Sequence, residues 1–133
     1  MSGNNIVLDT NVIIFASKQQ LHFDKILDKY DNVFVSIITY MEVYGYNFGN
    51  PIEKNLLDAF FKNIEIIHVD ISIADIVIDY RSTSSKKIKL PDAIILATSK
   101  SMNATLLTDD WDDFLNIDNT VNVISIETYK IKE

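Results

Sequence analysis

A chain of 133 residues that is 47% hydrophobic and 23% charged has the size and composition of one folded domain, which excludes a disordered or low-complexity protein. It has no cysteine, so disulfides and thiolate metal sites are excluded; the apolar run Ile6 to Ala16 is broken by Asp9 and is too short to span a bilayer. The net charge of −7, from 12 Lys+Arg against 19 Asp+Glu, argues against broad phosphate-driven binding of nucleic acid.

Ile6-Val7-Leu8 is a fully apolar β-type run, as expected of a central strand covered on both faces. It stops at Asp9, followed by Thr10 and Asn11, which favour caps and turns. A helical pattern covers Leu21 to Tyr30, Val33-Phe34-Val35 reads as a second buried strand, and Ser36 is placed to cap a helix running to about Tyr46. Asn50-Pro51-Ile52-Glu53 joins a cap residue, a first-turn proline and an acid at the third helical position. Leu56, Leu57, Phe60, Phe61 and Ile64 continue from it at helical spacing. Glu65 to Val69 is a third strand. Asp70 caps a helix whose stripe is Ile73, Val77 and Tyr80, with Asp75 and Asp79 outside it. Arg81 to Lys89 is polar and basic and reads as a loop. Pro91 then opens a helix carrying Asp92 in its first turn, Thr105 to Thr108 is a fourth strand, and Val121 to Ile126 a fifth. Strands alternating with helices predict an α/β fold, a three-layer α/β/α sandwich on a mainly parallel sheet of four to five strands, with residues 1–133 as a single domain.

Ligands of open parallel sheets bind beyond the carboxyl ends of the strands. Asp9 ends the first strand, Asp109 and Asp110 follow the fourth, Asp92 opens the helix before that strand, and Glu42 lies two turns into the helix after the second. Carboxylates from separated segments can thus converge at one edge. Like charges held together raise each other's pKa, and a divalent cation is the natural way to keep them ionised. Oxygen-only ligation points to Mg²⁺ or Mn²⁺ rather than Zn²⁺. Two such ions would bring the total charge to about −3 and turn the acidic spot into one that attracts phosphate.

The segments carrying these acids are similar to the motifs of PIN domains. Ile6-Val7-Leu8-Asp9-Thr10-Asn11-Val12-Ile13-Ile14 resembles their opening strand, and Ser36-Ile37-Ile38-Thr39-Tyr40-Met41-Glu42 their second motif. Leu90-Pro91-Asp92-Ala93-Ile94-Ile95-Leu96-Ala97-Thr98 resembles the third, and Leu106-Leu107-Thr108-Asp109-Asp110 with Phe114 the fourth. The resemblance covers nearly the whole chain in the right order, and the nearest likeness is to VapC-type toxins. It implies a Mg²⁺- or Mn²⁺-dependent endoribonuclease using one or two ions, with RNA as substrate. It further implies a homodimer and a cognate VapB-like antitoxin, and products ending in 3′-hydroxyl and 5′-phosphate. By that carry-over Asp9, Glu42, Asp92 and Asp110 are the catalytic metal ligands, and Thr10, Asn11, Thr108, Asp109 and Asp113 support them. Phe114 stands six residues after Thr108 where the family often has five, which leaves the fourth ligand open among Asp109, Asp110, Asp112 and Asp113.

Tyr40 and Tyr44 are each two positions from Glu42, on the opposite side of a helix, so packing or a subunit contact suits them better than base stacking. His22 and His68 lack metal-ligand spacing and read as structural. Lys86, Lys87 and Lys89 with Arg81 read as a solvated loop, with contact to an RNA backbone as the alternative. A receiver-like Mg²⁺-binding module and a haloacid-dehalogenase phosphatase are competing classes. The first wants an acidic pair after strand one, and the second an Asp where this chain has Asn11. A PIN nuclease of RNA processing outside a toxin–antitoxin pair is the related alternative. A cytoplasmic location without membrane contact is expected.

Overall fold

The computed structural model describes residues 4–132. Its first strand, β1 (Asn5–Leu8), leads into α1 (Thr10–Ser17) and α2 (Phe23–Lys29); β2 (Asn32–Ser36) leads into α3 (Ile37–Tyr44) and α4 (Pro51–Phe60). Then come β3 (Glu65–Ile67), α5 (Ile71–Thr83), α6 (Leu90–Ser101), β4 (Thr105–Thr108), a 3₁₀ turn (Trp111–Phe114), β5 (Val123–Ser125) and a second 3₁₀ turn (Ile126–Tyr129). All strands pair in parallel in the order β3-β2-β1-β4-β5, with Ile6 opposite Val33 on one side and Thr105 on the other.

The apolar strands are explained by two cores. Ile6, Leu8, Val33, Val35 and Leu107 face a cluster built with α1, α2 and α4 residues such as Ile13, Ile26 and Leu57. Val7, Phe34 and Leu106 face the other, with Ile73, Val77 and Tyr80 of α5 and Ile95 and Leu96 of α6. Successive side chains point to opposite faces, so a strand covered on both must be apolar throughout. The result is the expected three-layer α/β/α sandwich. Strand order turns from one side of β1 to the other between β1 and β4, and a crevice at such a switch point is where this architecture places ligands. A receiver-type sheet runs 2-1-3-4-5, so the order seen here removes that competing reading.

Several boundaries differ from the sequence expectations. The helix α1 was not anticipated. Its residues TNVIIFAS have no polar stripe because the helix packs against α3 and α4 and is largely covered. The helix expected from Leu21 starts at Phe23, since Leu21 bridges to Lys130 and the His22 N–H donates to the Tyr129 carbonyl, which ties the chain end to this corner. The helix α3 stops at Tyr44 with Gly45 as its cap, and β3 and β5 are shorter than expected. The supposed loop from Arg81 begins only after Thr83, whose hydroxyl donates to the Asp79 carbonyl. The Asn50 cap forms as read, accepting the Glu53 N–H at 3.0 Å. Among the described residues no helix is long and apolar enough to cross a membrane.

Candidate metal centre

The ends of β1 and β4 are locked by one hydroxyl. Thr108, fully buried, donates to Asp9 Oδ2 at 2.7 Å and accepts the Asp110 N–H at 3.0 Å. The other Asp9 oxygen accepts the Thr10 N–H at 2.8 Å, making Asp9 the N-cap of α1 as well as a member of the cluster. A hydroxyl that accepts from one strand end and donates to the other fixes both carboxylate-bearing segments at once. Valine, its isostere, could do neither.

The helix α3 brings in the third segment. Glu42 Oε1 accepts the Thr10 hydroxyl at 2.5 Å, and the Thr10 and Thr39 hydroxyls lie 3.2 Å apart. The single Thr10 proton goes to Glu42, so the Thr39 hydroxyl donates to Thr10 and the three form a chain. Thr39, wholly buried, was not among the expected site residues, although its position one turn before Glu42 was the available signal. Asn11 donates to Asp109 Oδ2 at 3.2 Å, which turns that carboxylate toward α1.

Electrostatics join the remaining acids. Asp9 is pushed up to about 6, chiefly by burial; the hydrogen bonds from Thr108 and Thr10 oppose this, and the charges of Asp92 and Asp109 add to it. Asp92 is likewise pushed up to about 6, by burial and then by the charges of Asp113, Glu42 and Asp110, against the pull of Lys89. Burial, a hydrogen bond with Asp110 and the Asp110 charge raise Asp113. Asp113, exposed on the 3₁₀ turn, is thus electrostatically linked to Asp110 and Asp92. The Asp112 carbonyl accepts from Lys86 and from the Leu115 N–H. Lys86 also reaches the Leu115 carbonyl at 3.4 Å, a structural tie of the loop before α6 to the 3₁₀ turn. Tyr40 and Tyr44 pack with Phe61 at centroid distances of 5.6 and 5.5 Å.

Among the described residues no three acidic or histidine side chains stand close enough to form a ready-made ligand cage. Mg²⁺ does not require one: it is usually held through one or two carboxylates and keeps several waters. All donors here are hard oxygens, and Asp9 and Asp92 are both raised by burial, with the charges of neighbouring acids adding to it. The donor set fits a partly hydrated divalent cation. A cavity of about 780 Å³ lies elsewhere, lined by Asp75, Tyr80, Lys100 and Asp118 among others. There Tyr80 donates to Asp118 at 2.5 Å and Lys100 pairs with it at 3.4 Å, a closed clasp that lacks the crowded acids of the strand ends.

A protein-family model described as PIN domain matches residues 6–119. No curated protein matches the chain. Among solved structures, FitAcB from Neisseria gonorrhoeae is 30% identical with a TM-score of 0.66, over 90% of this chain and 96% of that one. A toxin–antitoxin complex from Klebsiella pneumoniae is 27% identical with a TM-score of 0.70, over 95% and 99%. DNA-bound VapBC from Salmonella typhimurium, at 20% identity, shares the fold with a TM-score of 0.77 over 92% and 98%.

Proposed function

Because the chain belongs to the PIN-domain family, we propose that it is a VapC-type toxin, a Mg²⁺- or Mn²⁺-dependent endoribonuclease formed by residues 1–133 as one domain. The observation that carries this reading is the gathering of acids from β1, α3, α6 and the segment after β4, in which burial raises Asp9 and Asp92 and the charges of neighbouring acids add to it, Asp92 acting on Asp9 and Glu42, Asp110 and Asp113 on Asp92. Perturbed carboxyls gathered at a switch-point crevice mark a site built for charge rather than for stability.

Asp9, Glu42, Asp92 and Asp110 would hold one or two ions, which when bound lower the pKa of water and neutralise a phosphodiester. The chain's own groups position these acids. Thr108 fixes the Asp9 carboxylate against the Asp110 backbone, the Thr39–Thr10 pair orients Glu42, and Asn11 holds Asp109 aside. Asp113, bonded to Asp110, adds negative charge beside Asp92. Neither histidine takes part in these contacts, so the proton from the attacking water would pass to one of the carboxylates or to solvent.

The similarity to the Klebsiella toxin–antitoxin complex supports a VapB-like antitoxin as partner; a homodimer in the cytoplasm completes the proposal. The test is cleavage of a panel of tRNA, rRNA and mRNA with Mg²⁺ or Mn²⁺, beside Asp9→Ala and Asp92→Ala variants whose folding is verified by circular dichroism. Cleavage by the wild type and none by either variant is expected. Equal cleavage by all three would remove the assignment. Co-purification with the product of the adjacent short reading frame tests the partner.

A further inference from the structure

The 3₁₀ turn that follows Asp110 ends in Phe114, which is buried, and begins with Trp111, the single tryptophan of the chain, which is 43% exposed. Tryptophan is on average among the more buried residues, and its exposure here has no local polar explanation. The indole N–H is already satisfied, donating to the Val123 carbonyl at 3.2 Å, so water is not needed to pair it. That bond and the buried Phe114 anchor hold the ring in one orientation. Lys86 bonds to the Asp112 and Leu115 carbonyls, and the exposed Lys89 lies close enough to act on both Asp92 and Asp113.

From this placement we infer that the exposed Trp111 ring is a stacking platform for a nucleobase of single-stranded RNA flanking the phosphate held at the carboxylate cluster. The inference rests on the ribonuclease reading and deepens it by naming the substrate form, unpaired rather than duplex. The physical case is the combination of site, chemistry and rigidity. Trp111 directly follows Asp110 in the chain and is exposed, which puts an aromatic face within a nucleotide's reach of a phosphate held beside Asp110. An aromatic face accepts any base, and stacking contributes about 1–3 kcal/mol per base, roughly 5- to 150-fold in affinity. A ring already fixed by its N–H bond loses little entropy on binding. A peptide partner would more often seek the indole N–H, which is occupied.

Having one tryptophan makes the test direct. The full chain is mixed rapidly with a short mixed-sequence single-stranded RNA in Mg²⁺, and tryptophan emission is followed before turnover, with the same sequence as a blunt duplex for comparison. Cleavage is measured in parallel. Quenching by the single strand and not by the duplex is expected. Trp111→Ala should raise KM roughly tenfold or more, affecting kcat much less, and Trp111→Phe should recover most of the loss. Cleavage of RNA by the wild type with unchanged emission, and an unaltered KM in Trp111→Ala, would overturn the stacking role, leave the ribonuclease reading intact and assign the ring to a protein partner. If the wild type neither binds nor cleaves RNA, both readings fall together.

Discussion

Asp9 and Asp118 are both aspartates that accept at least two hydrogen bonds, yet their carboxyls move in opposite directions. Asp9 accepts from Thr10 and Thr108 and is pushed up to about 6, because burial and the charges of Asp92 and Asp109 outweigh those bonds. At Asp118 burial also opposes ionisation, but donors from Thr120 and Tyr80 and the Lys100 charge overcome it and draw the carboxyl down to about 2. Deeper burial at Asp9 and the opposite sign of the neighbouring charge separate the two. The clasp around Asp118 stabilises the fold that the 780 Å³ cavity borders, whereas the cluster around Asp9 works against the fold in the absence of a cation. Unrelieved charge thus distinguishes the Asp9 cluster from the cavity beside Asp118.

The sharpest way to break that contrast is to remove one charge from each region. Asp9→Asn should abolish RNA cleavage while raising the metal-free Tm at neutral pH by about 6 °C, since relieving the buried charge is worth on the order of 2 kcal/mol. The amide can still accept from Thr10, and the Thr108 hydroxyl can rotate to accept from it. A fall in Tm at neutral pH would mean that the carboxylate stabilises the fold after all. Asp118→Ala should do the reverse, lowering Tm by roughly 5 °C through lost charge-assisted hydrogen bonds while RNA cleavage persists. Thermal melts and cleavage assays on the same samples separate the two outcomes.

The pH dependence follows with opposite signs. The folded-state pKa of Asp9, near 6, lies above its ordinary value of 3.8, so its penalty is absent at low pH. The penalty develops as pH rises from about 4 and is complete above about 6. Asp118, near 2 when folded, contributes stability that is present above about 4 and is lost as pH falls toward 2. Metal-free protein should thus lose stability between about pH 4 and pH 6 in thermal melts. Saturating Mg²⁺ should reverse that slope, adding about 2.7 kcal/mol at a concentration one hundred times Kd. A slope unchanged by Mg²⁺ would count against the cluster as its site. The smallest effect is expected from Lys89→Gln, which removes a cation lowering Asp92. The pH midpoint for Mg²⁺ binding, measured by calorimetry, should move upward by about a few tenths of a unit.

Much of the architecture was legible in the chain itself. Apolar triplets at Ile6 and Val33 read as strands covered on both faces, and Asn50-Pro51 together with Asp70 announced two helix starts through local hydrogen bonds. The helix α1 was hidden because a segment enclosed by other elements has no polar face and hence no helical period. The crossing from one side of β1 to the other could not be read from alternation of elements, since sequence order does not state spatial order. The acidic residues and their order were visible; which of the four aspartates after Thr108 face the cluster was not.

Local physics, meaning caps, periodicity and the two-faced apolar strands, was thus determined by the sequence alone. Only the tertiary structure decided that Thr108 joins two strand ends, that Thr39 belongs to the Glu42 chain, that Asp113 feels the Asp110 charge, and that Trp111 stands outward after Asp110. Each of these is a relation between segments brought together by the sheet and the layers on it. Hydrogen bonds and charges act over a few ångströms of space, regardless of the length of chain between the partners.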